Sequence, residues 1–77
     1  MGDEEDELTR DEWIDAFAEA VGVPPPTSEE VDAILELAAT AAHDSERTAA
    51  PVACWIAASA GKPLAEANAI AGRIAAG

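Results

Sequence analysis

The sequence predicts an all-α protein, a compact bundle of four short helices, and three observations predict it. Two capping boxes mark helix starts at Thr9 and Thr27, and alanine supplies 20 of the 77 residues. Apolar side chains also recur at helical spacing, with no alternating run of the kind a strand needs. A chain this short makes one domain, and folding buries only about 60% of its unfolded surface, which leaves a thin stability margin. Residues 1–8 read as an acidic, disordered tail and residues 9–77 as the helical domain.

The first helix opens at Thr9-Arg10-Asp11-Glu12, with Leu8 and Trp13 placed to form a hydrophobic staple across the cap. Trp13, Ile14, Phe17, Ala20 and Val21 then share one face, and Gly22 supplies the left-handed stop. Pro24 to Pro26 form a stiff, extended connector. Thr27-Ser28-Glu29-Glu30 opens the second helix, whose face of Val31, Ile34, Leu35, Ala38 and Ala42 runs to about His43.

Asp44-Ser45-Glu46-Arg47 interrupts the apolar pattern, and Thr48 is the expected N-cap of a third helix ending at Gly61. That helix has no large polar face, so it is either central or covered by another chain. Pro63 is expected at the first position of the fourth helix, where a missing amide costs nothing. Leu64, Ala67, Ile70, Ala71 and Ile74 make its stripe, Arg73 complements its C-terminal dipole, and Ala75 to Gly77 are expected to fray. The expected core is Trp13, Phe17, Leu35, Trp55, Ile56 and Ile70.

Charge narrows the function classes. The net charge is −12, divided as −14 over residues 1–46 and +2 over residues 47–77. Nucleic acid requires lysine and arginine to replace phosphate counterions, and an anionic membrane surface requires the same sign, so both partners are excluded. No apolar run approaches the ~20 residues of a membrane span, and no basic segment precedes an apolar one at the N-terminus. A cytoplasmic location follows as the expectation. Cys54, the one cysteine, lies in an apolar stretch and reads as a buried, inert thiol.

Catalytic chemistry finds little to work with. His43 is the lone histidine; beside Asp44 and Ser45 it lacks the oriented base and oxyanion site of a hydrolase. At a helix end it serves the last carbonyls and the dipole instead. His43, Asp44 and Glu46 lack a second histidine or thiolate for metal, so no metal or cofactor is expected. The chain therefore reads as a non-catalytic interaction module, with His43, Arg47 and Trp55 as contact residues and Pro51 setting the turn. Arg47 has a plainer role available, pairing with Glu46 or capping the second helix. A homodimer through the alanine-rich third helix is a further expectation.

The same stretch carries a family resemblance. Ala42-His43, Arg47 four residues on, and Ala49-Ala50-Pro51 are similar to a small, functionally uncharacterised helical domain of bacteria. That domain occurs alone or at the C-terminus of molybdenum-cofactor guanylyltransferases (MobA-like proteins). Trp13-Ile14, Glu29-Glu30-Val31-Asp32 and Leu35-Glu36-Leu37-Ala38 resemble it too, while Thr48 and Cys54-Trp55 depart from it. The resemblance implies an accessory domain whose partner is a molybdenum-cofactor guanylyltransferase or a molybdoenzyme. An alternative rests on Asp44-Ser45 in an acidic four-helix chain, which resembles the acyl carrier proteins and would place a phosphopantetheine arm on Ser45. Glu46 and His43 depart from that family's motif.

Overall fold

The computed structural model describes residues 8–77, so most of the tail expected over residues 1–8 lies outside the described residues. Among the described residues, four helices carry the chain: α1 Arg10–Val21, α2 Ser28–Asp44, α3 Ala49–Ala60 and α4 Leu64–Ala76. The all-α class follows, with no strand among the described residues.

Both capping boxes close. Thr9 Oγ1 accepts from the Glu12 amide at 3.1 Å while Glu12 Oε1 accepts from the Thr9 amide at 2.9 Å. Thr27 and Glu30 repeat the exchange at 3.1 and 2.8 Å. Each box satisfies two amides that the helix leaves without a partner. Gly22 ends α1 at φ 98° and Gly61 ends α3 at φ 70°, where a side chain would strain the backbone.

Three local expectations need correction. Thr48 is no side-chain cap: it already has helical dihedrals, φ −70° and ψ −14°, and its hydroxyl makes no capping bond. The start of α3 is held by a tight turn instead, in which Ala49 N donates to Glu46 O at 2.8 Å and Ala50 N to Arg47 O at 3.1 Å. Pro63 stands one position outside α4, extended at ψ 146°, and its carbonyl accepts from Glu66 and Ala67. Ala75 and Ala76 stay helical, since alanine has the strongest helix preference. Near the start of α1, Trp13 stacks on Phe17 with ring centroids 5.1 Å apart, and Leu8 and Trp13 are both more than half exposed.

The packing is organised by α2. Helices α3 and α4 both lie along it, whereas α1 has no comparable contact with any other helix. Ile14 and Asp15 of α1 meet Pro26, Val31 and Asp32 in a crease at the N-terminal end of α2. Asn68 ties α4 to α2 by donating from Nδ2 to Ala33 O at 3.1 Å.

The expected core is the larger correction. The buried residues are Ala18, Val31, Leu37 and Ala67. Trp13, Phe17, Leu35, Trp55 and Ile56 are exposed, and Ile70 is half-buried. The physical reason is the distribution of alanine. Helix axes come closest where the side chains between them are smallest, so the half-buried Ala53, Ala57 and Ala71 and the buried Ala67 mark the inward faces of α3 and α4. The bulkier groups one step around each helix are then left outside.

Candidate interaction surface

The polar stretch between α2 and α3 is short and exposed throughout. His43 occupies the last turn of α2 and Ser45 caps it, donating its amide to Ala41 O at 3.0 Å. His43 faces an open cleft of about 510 Å³ with Ala39, Thr40, Asp44 and Ala75, none of which belongs to α3. Arg47 lies in the turn itself. Neither His43 nor Arg47 forms an ion pair among the described residues, so the Glu46–Arg47 pairing is absent there.

Pro51 is the third residue of α3, inside the first turn, where the absent amide leaves no bond unmade. Trp55 stands four residues further, on the same side of the helix, and Val52 lies beside it. Trp55 is 70% exposed and Val52 57% exposed. α3 carries no charged residue along its 12 positions. This outer face is therefore a strip of apolar surface in water, with Pro51 and Trp55 on it and Arg47 just before it. Of the four residues read from the sequence, Pro51 and Trp55 come together by helical spacing, and His43 opens on a different cleft.

Cys54 faces inward rather than outward. Its thiol is half-buried and reaches towards Ile34 O at 4.0 Å, a long contact for a weak donor. Ser45 is exposed at the end of a helix, and α3 begins four residues later. Among the described residues, no group of three histidine, cysteine or acidic side chains is placed to hold a metal ion. No helix among the described residues is long and apolar enough to cross a membrane.

Sequence reading missed a second surface. Between α3 and α4 runs a groove of about 270 Å³ with Leu37 at its floor and Ile56, Ile70 and Ile74 on its walls. The spacing of Ile70 and Ile74 on α4 was legible, but it was read as core. What opens the groove is that α3 and α4 each pack on α2 rather than on one another. Asn68, which pins α4, had no signal in the sequence.

No curated protein and no solved structure matches this chain. One protein family does, over residues 5–76, and its description assigns no activity and names no partner. The match spans nearly the whole sequence, both exposed surfaces included, and the chain belongs to that family, the domain of unknown function DUF6457.

Proposed function

We propose that this domain is a non-catalytic interaction module that docks on a partner protein through the outer face of α3. The observation that carries the reading is the exposure of Trp55, 70% in water on a helix with no charge. A tryptophan displayed in this way leaves apolar surface in water, and burying it against a partner recovers that free energy. Large aromatics are also the residues that most often dominate interface energetics. Val52 extends the apolar strip, Pro51 stiffens its start, and Arg47 adds a cation at its edge. His43, which opens on a different cleft, lies outside this face.

The partner class follows from the resemblance at Ala42-His43, Arg47 and Ala49-Ala50-Pro51: a molybdenum-cofactor guanylyltransferase or a molybdoenzyme undergoing maturation. Affinity capture from the source cell with the wild-type chain should return such a protein, and Trp55→Ala should lose it. The substitution should leave thermal stability within about 0.5 kcal/mol, the usual range for an exposed site. Repeated capture that never returns a molybdenum-cofactor protein would overturn the partner, and undiminished capture by Trp55→Ala would overturn the surface.

A further inference from the structure

We infer that the groove between α3 and α4 binds a free fatty acid, with the alkyl chain laid against Ile56, Ile70 and Ile74 and the carboxylate at Lys62. This goes beyond the docking face around Trp55 and uses a different side of α3.

The lining calls for an apolar guest. Leu37, Ile56, Ile70 and Ile74 are joined in the groove only by alanines and by Lys62. Apart from Lys62, then, no side chain of the groove can donate or accept a hydrogen bond. A guest with polar groups along its length would give up bonds to water there and find no replacement. Ile56 and Ile74, at 56% and 68% exposure, leave the groove open for entry.

Size selects a slender guest. The groove holds about 270 Å³ and adjoins a second apolar cleft of about 210 Å³, with Leu37, Ala53, Ala71 and Ile74 in both walls. These volumes are on the scale of small-molecule sites, which start at roughly 300 Å³. The 12 residues of α3 give the seam a length of ~18 Å. An unbranched alkyl chain is the slimmest guest that follows such a seam.

Charge sets the head group. The two ends of the seam differ in sign: Lys62 follows α3 and lines the groove, whereas Asp44 precedes α3 and lines the second cleft. A carboxylate is drawn to Lys62 and repelled at Asp44, which favours one orientation of the chain. The first turn of α4 lies at the Lys62 end without a side-chain cap, and its dipole adds to the attraction. Lys62 stands 3.5 Å from Glu66 with both side chains about half exposed, and a surface pair of this kind is weak. An ammonium has three donors, so one remains for the guest. Residues 47–77, which supply all of the groove's lining except Leu37, carry +2 within a chain of −12.

A methyl NMR titration of the full chain with laurate, kept below its micelle concentration, tests the site. Binding should saturate and move the resonances of Ile56, Ile70 and Ile74 while leaving Val52 in place. Each methylene removed from the chain should weaken binding by up to about fourfold. Lys62→Gln should weaken laurate by up to about fivefold and leave lauryl alcohol unchanged, and Glu66→Gln should tighten laurate. Ile74→Asp should abolish binding with unchanged helical circular dichroism. Trp55→Ala should bind laurate like the wild type, which separates this inference from the docking reading. Titration without saturable shifts, shifts confined to the outer face of α3, or equal laurate affinity in Lys62→Gln overturns the inference. So does a wild-type chain that sediments as a dimer and becomes monomeric in Ile74→Asp, since a second copy then covers the groove.

Discussion

Among the described residues, Leu37 is the one large side chain that the fold takes almost wholly out of water, at 4% exposure. It meets α3 and α4 together, lying under Ala53 and Ala57 on one side and Ala67 and Ala71 on the other. Replacing it with alanine removes a bulky group that both helices share. The cost should be about 2–5 kcal/mol, a large part of the stability of so small a domain. Urea denaturation of Leu37→Ala should show a sharply lower midpoint or no folded baseline. Ser45 makes the opposite case, being exposed and bound to the fold only through its backbone amide. Co-expression with a phosphopantetheinyl transferase should leave the intact mass of the chain unchanged. A mass increase lost in Ser45→Ala would establish the carrier reading.

Among the elements, α1 and α2 are held at their starts by side chains, and α3 is held by its turn. The difference is measurable. Thr27→Ala opens a capping box and should cost about 1 kcal/mol, whereas Thr48→Ala removes no capping bond and should change stability by less than about 0.5 kcal/mol. Equal losses at the two threonines would show that the Thr48 hydroxyl caps in solution. The contrast has a functional side: the turn before α3 presents Arg47 without any side-chain tether among the described residues.

The whole molecule is a central helix with two companions along it and one helix at its end. That arrangement leaves more bulky apolar groups outside than inside, since the residues taken most fully from water are two alanines, a valine and Leu37. A fold of this kind has little free energy to spare, and any partner that binds the folded state adds to it by mass action.

Sequence alone determined the local order of this protein. Thr9-Glu12 and Thr27-Glu30 announce their helices, Gly22 and Gly61 end theirs, and helical periodicity sets the all-α class. These are interactions over three or four residues, so the chain spells them directly. Which side of each helix turns inward was decided only in three dimensions. Val52, Trp55 and Ile56 were as plausible inside as outside, because α3 is apolar all round and periodicity has no purchase on such a helix. The choice went to the alanines, since close approach along α2 favours the smallest contact surface, and that competition between helix faces exists only once the helices meet.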